Sequence, residues 1–197
     1  MVLVIDTSSA CSAVAVLDHT WRPVEESVKP GGREYDLDRE VRAIVEPGAI
    51  TRVAAATGPG SFTGVRIGVA YALGLAIARG IPIHPLGSLE LASKRAREPA
   101  TGVTEAGRGR VYYQVPGHEP RVGEPPEIPA DHPLSGCLRE ATADALRSAG
   151  LRLLEPAQLR SFGEAAAELI EVAPEAGYDS LRLEYIQSFG PLGPRKF

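Results

Sequence analysis

Short apolar runs separated by polar turns occupy the first part of the chain. Residues 2–5 are continuously apolar and branched, which is typical of a strand buried on both faces. Residues 11–17 and 24–28 follow after polar turns and predict two adjacent hairpins, and therefore antiparallel pairing at one side of a mixed sheet. A further buried strand is predicted at 53–56 and an edge-type strand at 81–85.

Two stretches show helical periodicity. Over residues 35–46 the apolar positions fall on one face, with charged residues opposite, and Pro47 stops the helix. The stretch 64–79 is apolar nearly all round, with Arg66 as its one interior charge and Gly80 as its predicted C-terminal cap. A helix that is apolar on every side needs cover on two sides, so we expect its own sheet on one and a second element or a partner protein on the other.

The composition changes near residue 97, which divides the chain into a predicted N-terminal lobe (1–97) and a smaller C-terminal lobe with a tail (98–197). Beyond this point the prolines and glycines are more frequent. The remaining predictions are a helix capped by Ser88 and reaching 95, strands at 111–115 and 151–154, loop or edge structure at 116–133, helices at 139–148 and 162–172, and an extended segment at 181–188.

Charge and composition restrict the classes of function. The chain has 197 residues, 44% of them hydrophobic, with 21 Lys and Arg against 25 Asp and Glu. A net charge of −4 argues against a broad nucleic-acid-binding surface, because phosphate contacts dominate such binding. The turn that carries Arg108 and Arg110 beside Tyr112 leaves a local RNA contact open, although two arginines in a tight turn are more often simply exposed.

The cysteines and the termini predict a cytoplasmic protein. Cys11 and Cys137 lie far apart in no metal-ligand spacing, so we expect two reduced thiols. Asp6 interrupts the first apolar run too early for a signal peptide, and the uncharged stretch 67–78 is too short to span a bilayer. No two of the four histidines are three or four residues apart, and each is expected to be a solvated loop residue: His19, His84, His118 and His132.

A glycine-rich loop joins the strand at 53–56 to the apolar helix. A Walker loop fails on its spacing, since five residues separate Gly58 from Gly64 and no Lys-Ser/Thr pair follows. A dinucleotide fingerprint lacks its acid at the end of the next strand, and Ser61 lacks the flanking glycines of a nucleophile elbow. The favoured interpretation is structural: the glycines allow a tight turn and close packing of the helix.

Asp6, Thr7 and Ser8 form the turn after the first strand. In actin-like ATPases an acid and hydroxyls at this turn handle phosphate and magnesium. Hydrogen bonding within the turn itself explains the same residues equally well. Both interpretations stay open at this point.

Three motifs resemble the TsaB (YeaZ) family: residues 4–8, 58–68 and 105–112, in that order along the chain. The resemblance implies an α/β protein with the actin-like ATPase (RNase H-like, ASKHA) fold, in which two lobes with mixed sheets are flanked by helices. The second lobe of this chain is then trimmed. The family acts in forming N6-threonylcarbamoyladenosine at position 37 of tRNAs that read codons beginning with adenine. The signature loop is Gly58, Pro59, Gly60, Ser61, Phe62, Thr63, Gly64 and Arg66.

The resemblance also implies a role and partners. The chain is expected to be a non-catalytic scaffold that binds a TsaD-type transferase, with a TsaE-type ATPase as the third member of the complex. In isolation it is expected to form a homodimer. It is expected to contact tRNA only through the complex. TsaD-like enzymes hold metal through a His-x-x-x-His pair that residues 34–40 lack, so no metal is expected. No intrinsic cofactor is expected either, and ATP or ADP is expected only at an interface with partners. An ATPase or phosphotransferase that uses Asp6 and Thr7 is the alternative. The expected partner interface is Leu37, Val41, Ile44, Val65, Val69, Tyr71 and Leu73.

Overall fold

The computed structural model describes residues 1–32, 34–184 and 186 and contains two β-sheets. The five strands of the first sheet lie in the spatial order β3-β2-β1-β4-β5. Strands β1, β2 and β3 pair antiparallel, whereas β1, β4 and β5 pair parallel, which confirms the predicted mixed sheet. These strands are β1 (Val2–Asp6), β2 (Cys11–Leu17), β3 (Pro23–Pro30), β4 (Arg52–Gly58) and β5 (Ile83–Gly87).

The second sheet has four strands in the order β8-β7-β6-β9. Its central hairpin joins β6 to β7, and β9 pairs parallel to β6. The sequence analysis did not predict β6, because its glycines and short polar residues give a weak strand signal. The strands are β6 (Thr101–Gly107), β7 (Arg110–Gln114), β8 (Arg121–Gly123) and β9 (Leu134–Ser135).

Five α-helices flank the two sheets in the described part of the chain. Asp36 caps the first helix through its side chain, and Ser61 caps the second. Gly80 ends the second helix in the left-handed region at φ 63°, as predicted. The helices are α1 (Leu37–Ile44), α2 (Phe62–Arg79), α3 (Ser88–Lys94), α4 (Glu140–Ser148) and α5 (Phe162–Ile170).

The central strands β1, β2 and β4 of the first sheet are buried on both faces, which explains their continuously apolar sequences, whereas the edge strand β3 is largely exposed. On one face Leu3 and Ile5 pack in a cluster with residues of α1 and α2. On the other face Val2 and Val4 pack against Phe162 of α5. A helix from the second half of the sequence therefore covers the first sheet, and the predicted division at residue 97 stays a prediction.

Three local predictions need correction, and a fourth lies partly outside the described residues. Gly87, not Ser88, precedes α3, and the Ser88 hydroxyl instead accepts a hydrogen bond from the Gly58 amide at 3.1 Å. Residues 151–154 form a single bridge through Leu153 rather than a strand. His84 is 3% exposed, not solvated, and its Nδ1 lies 3.2 Å from the Ala173 carbonyl oxygen. The extended segment predicted at 181–188 lies partly outside the described residues.

The cysteines are also placed differently from the prediction. Cys11, at the start of β2, and Cys137, after β9, are joined by a disulfide although 126 residues separate them. A neighbouring hydrogen bond, from the Ala10 amide to the Cys137 carbonyl, makes the same connection. The expectation of two separate reduced thiols is wrong for this structure, because folding brings the two sheets together at this point.

Candidate functional site

The glycine loop leads from β4 into the first turn of α2. Gly58 has φ 111°, a conformation that favours glycine, and the following peptide bond to Pro59 is cis. Ser61 then begins the helix: its hydroxyl accepts from the Gly64 amide at 3.2 Å, and its own amide donates to the Ser8 carbonyl at 2.7 Å. The loop is therefore fastened directly to the turn between β1 and β2.

Three glycines bring α2 onto that turn. A Cβ atom at Gly60 would overlap the carbonyl oxygen of Ser8, and one at Gly64 would overlap the carbonyl oxygen of Thr7. A Cβ atom at Gly68 would overlap the Thr7 hydroxyl oxygen. Since two of these obstacles are backbone atoms, they cannot move aside cheaply. The glycines thus serve close packing, the structural interpretation favoured by the sequence.

The turn residues use their polar groups internally. One carboxylate oxygen of Asp6 accepts from the Ser8 amide at 2.8 Å, and the Thr7 hydroxyl donates to the Gly64 carbonyl at 2.6 Å. Burial raises the pKa of the Asp6 carboxyl, although hydrogen bonds from Ser8 and the charge of Arg95 act in the opposite direction. These contacts give Asp6, Thr7 and Ser8 a structural role in joining the turn to α2.

The predicted interface residues lie on the inner side of the helices. Four of them are buried in the core of this chain and are not surface residues, which corrects that part of the prediction: Leu37 (6% exposed), Val41 (1%), Val65 (4%) and Val69 (7%). Ile44, Tyr71 and Leu73 are partly buried against the same core. The Tyr71 hydroxyl also donates to Asp38 of α1 at 3.1 Å.

The opposite side of α2 is apolar and exposed. We call it the outer face and define it by Phe62, Ile67, Ala70, Gly74 and Ile77, all of which are exposed. The three large side chains are 55%, 52% and 55% exposed, respectively. By length and composition alone α2 could cross a bilayer, yet only 28% of it is buried in this chain. On this face the Arg66 guanidinium lies over the Phe62 ring at 3.7 Å, and the side chains of Ile67 and Ile77 are more than half exposed.

Neither a metal cluster nor a second catalytic constellation accompanies these elements. Among the described residues no group of three or more His, Cys, Asp or Glu side chains could hold a metal ion. Arg108 lies at the tip of the β6–β7 hairpin with φ 56°, between Gly107 and Gly109, which also have positive φ. Arg110 begins β7.

Comparison with known proteins shows what this chain resembles in sequence and in fold. The family model for TsaD, the tRNA N6-adenosine threonylcarbamoyltransferase, matches residues 41–124, which include α2 and the signature loop. The Bacillus subtilis protein named tRNA threonylcarbamoyladenosine biosynthesis protein TsaB is 32% identical over 122 residues, or 56% of this chain and 52% of that protein. This chain is therefore similar in sequence to TsaB over about half of its length. It spans about half the length of the curated relatives it matches.

The similar proteins also include an uncharacterized protein and two solved structures. An uncharacterized protein of Mycobacterium tuberculosis is 33% identical over 120 residues, covering 57% of each chain. The structure of YeaZ from Pseudomonas aeruginosa superposes with a TM-score of 0.72 over 93% of this chain and 98% of that chain, at 21% identity. A second structure, described as similar to peptidase YEAZ from the same organism, gives a TM-score of 0.69 at 20% identity. These likenesses confirm the predicted actin-like, RNase H-like fold.

Proposed function

We propose that this chain is a non-catalytic scaffold subunit in the formation of N6-threonylcarbamoyladenosine at position 37 of tRNA, and that it docks a TsaD-type transferase through the outer face of α2. The main observation in support of this proposal is the outer face itself, where Phe62, Ile67 and Ile77 are each more than half exposed. Large exposed apolar patches mark interaction sites.

The match to the transferase family supports the identity of the partner. The region of this chain that resembles TsaD, residues 41–124, contains the second half of α1 and all of α2. Two chains that share a fold can pack the same helix pair against each other with pseudo-twofold symmetry. In this proposal the outer face of α2 forms the docking surface, and a homodimer forms through the same face when the partner is absent.

The internal hydrogen bonds of the β1–β2 turn support a non-catalytic role. Asp6 and Thr7 are occupied in holding Ser8 and Gly64, as described above. The alternative, an ATPase that uses Asp6 and Thr7, requires turnover by the isolated chain. We expect calorimetry and phosphate release with Mg-ATP to show none. In the proposed complex a TsaE-type ATPase is the third member, ATP or ADP lies at an interface between partners, and tRNA is contacted through the complex.

Charged substitutions on the outer face test the docking. We expect the double variant Ile67→Glu/Ile77→Glu to bind a TsaD-type transferase about 100-fold more weakly or not at all, because docking would bury two unpaired carboxylates. The measurement is co-purification and titration calorimetry, with circular dichroism to check the fold. Val172→Glu is the matched control, since Val172 is 80% exposed and lies beyond α5.

Reconstitution tests the function as a whole. Modified tRNA should form in a mixture of transferase, ATPase and this chain, and should fall sharply when this chain is omitted or replaced by the double variant. Equal yields with the double variant and with the wild-type chain contradict the docking surface. Equal yields without any form of the chain contradict the scaffold role.

A further inference from the structure

A cavity of about 600 Å³ lies where the β6–β7 hairpin faces the start of α2. Arg108, Arg110 and Tyr112 line it from the hairpin, and Ser61 and Phe62 line it from the helix. The cavity is separate from the Ile67 and Ile77 positions of the outer face. The cavity shares Phe62 with the outer face and Ser61 with the glycine loop, whereas Arg108, Arg110 and Tyr112 take part in neither.

Two arginines in this cavity have no internal partner. Arg108 is exposed and Arg110 is partly buried, and neither guanidinium has a hydrogen bond or a carboxylate partner among the described residues. Arg139, on the same wall, is instead paired with Glu105 at 3.5 Å. The guanidinium fork is the protein group best matched to two oxygens of a phosphate.

Tyr112 adds a buried donor directed at the same space. Its side chain is 8% exposed, and its hydroxyl has no hydrogen-bond partner in the described part of the chain. Burial raises the pKa of Tyr112, so the phenol stays protonated and can donate. The Tyr112 hydroxyl is not among the fully enclosed polar atoms without a partner, so a ligand oxygen in the cavity can reach it and accept its hydrogen bond.

The remaining lining suits an anion with an apolar part. The first turn of α2 contributes the positive end of an 18-residue helix. Phe62 and Val65 form an apolar wall, and the volume far exceeds that of a single phosphate. Glu184 also lines the cavity, but burial and the charges of Glu90 and Glu119 raise its pKa, which lowers its repulsion of an anion.

We propose that this cavity binds a nucleoside monophosphate unit, with the phosphate held by Arg108, Arg110 and the Tyr112 hydroxyl and the base against the apolar wall. The unit is either a free mononucleotide or one nucleotide of a single-stranded RNA, since both present the same phosphate and base. The site belongs to this chain alone and does not depend on the docking of the transferase.

Binding to the isolated chain tests the proposal, with AMP, inorganic phosphate and the adenylate trinucleotide as probes. We expect AMP to bind at least about tenfold more tightly than phosphate, and Arg108→Ala and Arg110→Ala each to weaken AMP about tenfold. Tyr112→Phe, which removes only the hydroxyl, should weaken it several-fold. Arg121→Ala is the matched control: it is exposed on the neighbouring strand β8, outside the cavity, and should leave affinity unchanged.

The outcomes separate the possibilities. A trinucleotide that binds much more tightly than AMP identifies RNA as the source, and equal affinities identify the free nucleotide. Phosphate binding as tightly as AMP overturns the nucleotide assignment. Absence of AMP binding, unchanged affinity in both arginine variants, or an equal loss in Arg121→Ala overturns the site.

Discussion

Helix α2 has two sides of similar apolar composition that lie in different surroundings. Its inner side carries Gly64, Gly68, Val65 and Val69 and lies against the first sheet and the β1–β2 turn. Its outer face is equally apolar and lies in solvent. Backbone atoms of the β1–β2 turn determine how the inner side packs. On the outer face, by contrast, Ile67 and Ile77 remain more than half exposed. We therefore expect substitutions on the inner side to change stability and substitutions on the outer face to change binding.

The largest difference in stability should appear between alanine substitutions at two glycines of α2. Gly64→Ala places a Cβ atom against the Thr7 carbonyl oxygen, and we expect it to lower the free energy of unfolding by about 3 kcal/mol or more. Gly74→Ala is the control, because a Cβ atom there meets nothing within 4 Å. It should stabilise the protein by about 0.5–1 kcal/mol through helix propensity. Urea unfolding of both variants measures the free energy of unfolding. If Gly64→Ala lowers it by no more than an ordinary surface substitution does, the close packing at Gly64 is contradicted.

The Cys11–Cys137 disulfide also anchors the β1–β2 turn, against which the inner side of α2 packs. Cys11→Ala should lower the free energy of unfolding by about 2–4 kcal/mol under oxidising conditions, because it releases a long loop in the unfolded state. Adding a dithiol reductant to the wild type should have a similar effect, by transferring two electrons and two protons to the protein disulfide. The reductant should have no further effect on the variant. If it shifts both proteins equally, the bond is not the cause.

A matched pair of truncations compares the two sides directly. Val69→Ala removes buried methyl groups and should cost about 2 kcal/mol of stability, whereas Ile67→Ala should change stability by less than about 0.5 kcal/mol. Binding to a TsaD-type transferase should respond in the opposite order, weakened by Ile67→Ala and little affected by Val69→Ala. The readouts are urea unfolding and calorimetric titration. A transferase affinity that falls only in Val69→Ala would return the interface to the inner side.

The sequence predicted the existence of α2 and missed its orientation, for a physical reason. Since every row of the helix is apolar, periodicity could not show whether Val69 or Ile67 faces the sheet. The row of small residues at Gly64 and Gly68 was the available signal, because close backbone approach requires glycine. That signal marks the inner side.

Contacts between residues far apart in sequence could not be predicted, for a different reason. Strands β1, β2 and β4 of the first sheet followed from local apolar runs, because each is buried on both faces. The pairing of Cys11 with Cys137 and the packing of α5 on the first sheet depend on contacts between residues far apart in sequence. The cavity beside Arg108 depends on the same kind of contact, so the sequence indicated its arginines but not the buried Tyr112 hydroxyl.

The smallest expected effect concerns the charge of Asp6 beneath the inner side, because Asp6→Asn keeps an oxygen that can accept from the Ser8 amide. Burial raises the pKa of Asp6 above its ordinary value of 3.8, so the folded protein binds this proton more tightly than the unfolded chain does. Its contribution to stability is therefore present at low pH and is lost as the pH rises through the folded pKa.

The stability of Asp6→Asn relative to the wild type should accordingly increase between about pH 4 and pH 7, as followed by urea unfolding at several pH values. Asp18→Asn is the control of opposite sign, since hydrogen bonds from Thr20 and Arg22 lower the pKa of Asp18 and its contribution is lost as the pH falls. Slopes of the same sign in the two variants would show that the Asp6 carboxyl is not held in a desolvated position by the contact between the turn and α2.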